Sequence, residues 1–80
     1  MTTQELIAER QKLYGKPEDN FRNIGKGWAV ILGLEEITPL QVALCMAWVK
    51  IAREKYRHNQ DNLDDAQGYI ECALQITKDF

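Results

Sequence analysis

Val42-Ala43-Leu44-Cys45-Met46-Ala47-Trp48-Val49-Lys50-Ile51-Ala52-Arg53 is apolar on nearly every side until two cations interrupt it. It follows Thr38-Pro39, an N-cap residue and then the residue best suited to a first helical position, so it reads as the body of a helix. A helix that is apolar all round is a buried one. The stretch therefore predicts a helical bundle in which other helices, from the same chain or from a second copy, surround it. Lys50 and Arg53 then fall at or near the core, where a cation needs a partner. The acidic run Asp61-Asn62-Leu63-Asp64-Asp65 lies just downstream.

Working outward, that helix is expected from Pro39 to about Arg57, with His58-Asn59-Gln60 as a loop. A last helix begins at Asp61 or Asn62 and runs nearly to Phe80. The short loop predicts an antiparallel hairpin of these two helices. On the last helix, Leu63, Ala66, Ile70, Ala73 and Leu74 make the expected main core stripe. Asn62, Asp65, Tyr69, Cys72 and Ile76 make a second stripe beside it. Upstream, Thr2 with Glu5 three residues later has capping-box spacing and opens a helix to about Leu13. Leu6, Ile7, Leu13 and Tyr14 share one face of it, with Arg10 in the middle. Gly15-Lys16-Pro17 breaks that helix. A second helix follows to Leu32, with Phe21, Ile24, Trp28, Ile31 and Leu32 as an apolar stripe and Gly33 as the C-cap. Gly25 and Gly27 weaken a helix unless another element approaches closely. No strand pattern or repeat occurs. The fold class predicted is all-α: a small four-helix bundle formed by residues 1–80 as a single helical domain.

The chain has 80 residues, 45 % hydrophobic and 28 % charged, with a net charge of -2. A chain this short buries only about 60 % of the surface its unfolded form exposes. The last two helices carry more apolar circumference than two short neighbours can cover, so a homo-oligomer is expected. The acidic balance argues against general nucleic-acid binding, which needs a basic face. Cys45 and Cys72 read as small core residues in a reducing compartment, and Trp28 and Trp48 as core aromatics. No Cys or His pair has metal-ligand spacing, so no metal and no cofactor is expected. The amino terminus lacks a signal-peptide pattern, and residues 42–52 are too short a run to span a membrane. A cytoplasmic protein is expected.

At about 100° per residue, Met46, Lys50, Arg53 and Arg57 form one stripe. Arg53 and Arg57 are expected to reach Asp61 or Asp65. One reading of this cluster is an ion-pair network that fixes how the helices pair. The other is a polar pocket in a bundle, with Arg10, Lys50 and Arg53 holding phosphate and Asn62, Asp65 and Tyr69 orienting the ligand. No catalytic residue is assigned: serine is absent, and Cys45 has no histidine near it in sequence.

Arg10-Gln-Lys-Leu-Tyr14-Gly15, Pro17 to Phe21, Ile37-Thr38-Pro39 with Val42-Ala43-Leu44, Lys50-Ile51-Ala52-Arg53 and Asp61 to Tyr69 together resemble a family of small, mostly uncharacterised phage and prophage proteins. The resemblance spans about residues 9 to 75 and implies a viral or prophage origin and the cytoplasm of a bacterial host. A fainter one is to the all-helical nucleotide pyrophosphohydrolases of the MazG and dimeric dUTPase type. Those enzymes hold magnesium between two acidic clusters. Asp61 to Asp65 resembles the second cluster, whereas Lys50 and Arg53 stand where the first would be. The function expected is that of a phage accessory protein binding a small phosphorylated, nucleotide-like ligand, as in countering host defence. A protein-interaction module that inhibits a host factor and a MazG-like hydrolase are the alternatives.

Overall fold

In a computed structural model of the chain, which describes residues 2–79 apart from the side chains of Tyr14 and Asp79, three of the four helices start at a side-chain cap and the second starts at Pro17 with none. The four are α1 (Thr3–Tyr14), α2 (Pro17–Leu32), α3 (Pro39–Tyr56) and α4 (Gln60–Ile76), followed by one turn of 3-10 helix, Thr77–Asp79. No strand occurs among the described residues. The all-α class and the four helices agree with expectation. The expected place of Tyr14 on the apolar face of α1, and the reach of the last helix to Phe80, lie outside the described residues.

Thr2 Oγ1 accepts the Glu5 N–H at 3.1 Å, which satisfies one of the free donors of the first turn. At α3 the cap is reciprocal. Thr38 Oγ1 accepts the Gln41 N–H at 3.1 Å, and Gln41 Oε1 accepts the Thr38 N–H at 2.8 Å. Asn59 caps α4 by accepting the Asp61 N–H at 2.9 Å, so α4 begins at Gln60, slightly earlier than expected. α2 ends at Gly33, whose left-handed φ of +70° favours a residue without Cβ. That reversal lets the Leu34 N–H reach the Ala29 carbonyl at 2.9 Å.

The core is built from Ile7 of α1, Phe21 of α2, Val42, Ala43 and Ala47 of α3, and Tyr69, Cys72 and Ala73 of α4. Ile24, Trp28, Met46 and Ile76 close around it. Small residues face each other where α3 meets α4, so the two backbones approach closely. Gly25 shows the same economy between α2 and the segment leading into α3. A Cβ there would collide with the Ile37 carbonyl oxygen and stand 3.3 Å from Val42 Cγ2, whereas nothing lies within 4 Å of a Cβ at Gly27.

Several expectations about the core are overturned. On α4 the expected main stripe is buried at its alanines, Ala66 and Ala73, but its large members Leu63, Ile70 and Leu74 are exposed, and Tyr69 and Cys72 of the neighbouring stripe are buried instead. Two adjacent stripes satisfy the same helical period, and only the position of α1 decides between them. α1 docks on the Asp65, Gly68 and Tyr69 side. Trp48 is 67 % exposed, and Leu44 and Ile51 are also exposed. α3 has only α2 and α4 as main neighbours, and these side chains point away from both. Cys45 is exposed as well; Cys72 is buried as expected. Ile31 and Leu32 at the end of α2, and Leu13 on α1, are open to solvent for lack of a facing helix.

Gly25→Ala is expected to lower stability by about 2–3 kcal/mol through overpacking. Gly27→Ala is expected to raise it by up to about 1 kcal/mol through helix propensity alone. Paired urea denaturation midpoints check both, and equal effects at the two positions would refute the close approach at Gly25.

Candidate functional site

Helical period brings one carboxylate of α4 between cations of two other helices. Asp65 Oδ2 lies 3.1 Å from Lys50 Nζ of α3. Asp65 Oδ1 lies 3.4 Å from Arg10 Nη2 of α1. The Lys50 and Asp65 side chains retain only 15 % and 20 % of their exposure, so their pairing is partly shielded from solvent. Arg10 also donates from Nη1 to Tyr69 Oη at 3.5 Å and sits over the Tyr69 ring, 5.4 Å from its centroid. Cation–π attraction adds to the charge pairing there. The Tyr69 ring in turn packs on Phe21, centroid to centroid 6.0 Å.

Arg10, Asp65, Phe21, Gly68, Tyr69 and Cys72 belong to the wall of a cleft among α1, α2 and α4, enclosing about 40 Å³. That is room for a few water molecules at most. Burial pushes the Cys72 thiol up from its ordinary pKa, and the nearby Glu71 charge acts in the same direction, while Arg10 opposes both. The thiol at the cleft wall is thus held in its protonated, unreactive form.

Four of the six predicted site residues, Arg10, Lys50, Asp65 and Tyr69, converge. Asn62 turns instead to Glu54 Oε1, to which it donates at 3.2 Å. Arg53 is exposed and makes no ion pair among the described residues. The expectation that Arg53 and Arg57 reach Asp61 or Asp65 is overturned: Asp65 is occupied by Lys50 and Arg10. The reason is angular. Lys50 and Glu54 share the side of α3 that meets α4, and Arg53 is rotated about 100° from Glu54.

Sequence reasoning missed Glu54, which organises the turn between α3 and α4. Its carboxylate accepts the Asn59 N–H at 2.9 Å, accepts from Asn62, and meets His58 Nδ1. The Asn59 backbone bond, followed by the His58 contact, holds its carboxyl below the ordinary carboxylate range. The available signal was Glu54 and His58 at helical i, i+4 spacing beside a helix end. Also missed was Gly68, where a Cβ would stand 3.2 Å from Leu6 Cδ2; this is where α1 settles onto α4. No group of three or more His, Cys, Asp or Glu side chains among the described residues is placed to hold a metal ion. No helix among them is long and apolar enough to cross a membrane.

Fold and cluster define a class, a small all-helical protein with a mixed-charge cleft, and comparison with known proteins narrows it. The chain belongs to the family described as Domain of unknown function DUF6378, which it matches over residues 1–77. It is similar to the Gene 55 protein of Mycobacterium phage D29, at 39 % identity over 75 residues, covering 91 % of this chain and 49 % of that protein. The chain thus spans about half the length of the curated relative it matches. No solved structure matches it. The resemblance to small uncharacterised phage proteins is thereby borne out.

A depressed carboxyl stabilises the fold above its unfolded pKa, and that contribution is lost as pH falls through the folded one. For Glu54 the loss falls below about pH 4.5, its ordinary value. The melting temperature of wild type is therefore expected to exceed that of Glu54→Gln at neutral pH, with the gap closing in acid. A gap that stays constant from neutral pH down to pH 3 would refute the assignment. Asp65→Ala leaves two cations without their shared partner and is expected to cost about 2 kcal/mol. Its melting temperature should fall by roughly 8–16 °C.

Proposed function

We propose that this protein binds a small phosphorylated ligand through Arg10 and Lys50. The observation that carries the reading is charge: two cations share the single carboxylate of Asp65, leaving one positive charge unbalanced beside an aromatic surface of Tyr69 and Phe21. Arg10, whose planar fork suits phosphate oxygens, is half-exposed and already oriented by Tyr69. The cleft itself is too small for a nucleobase, so only phosphate oxygens enter the cluster and the rest of a nucleotide-like ligand lies over its rim. In a phage setting, sequestering such a ligand would serve to blunt a host defence that signals through nucleotides. The site draws on α1, α3 and α4. The Glu54–Asn62 and Lys50–Asp65 contacts support an antiparallel α3–α4 hairpin, because the α3 partner falls in number as the α4 partner rises.

Calorimetric titration with pyrophosphate and a nucleoside triphosphate tests this. Lys50→Ala and Arg10→Ala are each expected to weaken binding by about tenfold or more, as for loss of a charge-assisted hydrogen bond. Asp65→Asn, which removes the competing carboxylate at constant shape, is expected to strengthen it. Absence of binding to wild type, or weaker binding in Asp65→Asn with the fold intact, would overturn the proposal.

A further inference from the structure

Six large apolar side chains on one side of the α3–α4 pair are exposed, with no helix among the described residues packed over them. On α3 they are Leu44, Trp48 and Ile51, spaced i, i+4, i+7; on α4 they are Leu63, Ile70 and Leu74, spaced i, i+7, i+11. Both spacings keep a stripe on one helix face. In the register set by the Lys50–Asp65 and Glu54–Asn62 contacts, Trp48 comes level with Gln67 and Gly68, between Leu63 and Ile70, and Leu44 with Glu71 and Cys72, between Ile70 and Leu74. The two stripes thus merge into one continuous face, opposite the side covered by α1 and α2. Gln67, in the middle of the α4 stripe, is its one polar member.

We infer that this face is covered by a second copy of the same chain, stripe against stripe across a two-fold axis. The area supports one partner of this size. The accessible surface is 5997 Å², whereas a folded monomer of 9.3 kDa exposes about 5,000 Å². The excess of about 1,000 Å² is close to the ~800 Å² that each partner contributes to a standard stable interface. The Cα radius of gyration tells the same story, at 13.0 Å against about 11.6 Å for a compact domain of this length. Self-pairing is also chemically consistent. A two-fold brings each residue of the face against the same face of its partner; none of the six apolar residues is charged, and Lys55, one turn beyond Ile51, lies at the end of the α3 stripe. The inference rests on the α3–α4 register and is independent of the anion site, since Arg10 and Tyr69 lie on the opposite side of the pair.

Sedimentation of the full chain at high micromolar concentration, followed through dilution, tests the inference. Wild type is expected at twice the 9.3 kDa chain mass. Trp48→Glu and Leu74→Lys are each expected to raise the dimer dissociation constant by about thirtyfold or more, the effect of removing an interface hot spot. Val30→Glu, exposed on α2 outside the stripe, is expected to change nothing. If both stripe variants lose helix content together with the dimer while Val30→Glu does not, the interface still lies on this face, because these side chains are exposed within one chain. A monomeric wild type would overturn the inference and leave the face to a different protein. A dimer broken by Val30→Glu but not by Trp48→Glu or Leu74→Lys would also overturn it.

Discussion

One carboxylate, Asp65, ties three helices together. Its two oxygens are taken by a lysine from α3 and an arginine from α1, so the helix that carries it is tied to two others by directed contacts. The apolar contacts around it are generic by comparison. Among the described residues Val42 is the one large side chain wholly out of water, and much of the remaining core is alanine. Alanine-lined seams let backbones come close but do little to fix a rotation, because small side chains interdigitate weakly. Polar pairing can supply that rotational definition even where its net contribution to stability is modest. The angular setting of α1, α3 and α4 therefore depends on Asp65 more than on any single apolar contact.

Much of this was legible in the residues. Thr38-Pro39, Pro17 and Gly33 mark helix limits by local chemistry that needs no tertiary context, and those limits stand. The convergence of Arg10, Lys50, Asp65 and Tyr69 was also legible, since a charged residue inside an apolar stripe announces a buried pairing. What failed was rotation. Leu63, Ile70 and Leu74 have the same helical period as Tyr69, Cys72 and Ile76, and periodicity cannot say which stripe meets the rest of the chain. Arg53, expected at the α3–α4 seam, and Glu54, found there, show the same thing: one residue turns the helix far enough to move a side chain from a neighbour to water. Trp48 and Cys45 were assigned to a core because apolar residues in one sequence look alike whether a neighbour comes from the same chain or from elsewhere.

The polar chemistry divides between the two ends of the α3–α4 contact. Near the connecting turn, Glu54 gathers the Asn59 backbone, Asn62 and His58 into a clasp. Further along, Lys50 and Asp65 meet in partial shelter. The first arrangement holds a turn, and its donors are consumed in doing so. The second leaves cationic capacity over, and for that reason the functional reading falls on Asp65 and its partners and not on the more elaborate network at the turn.

α1 gives the chain one further property. Its apolar anchorage is slight, with Ile7 buried and Leu6 seated against Gly68, while Leu13 faces solvent. Among the described side chains of α1, Arg10 adds a polar hold on Asp65 and Tyr69. A helix fastened this lightly sits at the low end of the ladder of local opening free energies, below the global unfolding of α2, α3 and α4. When it lifts, Arg10 leaves with it, the Tyr69 ring loses its cover, and Asp65 keeps only Lys50. The cleft and the docking of α1 are one equilibrium, and any anion that reorients Arg10 acts directly on how long the first helix stays down.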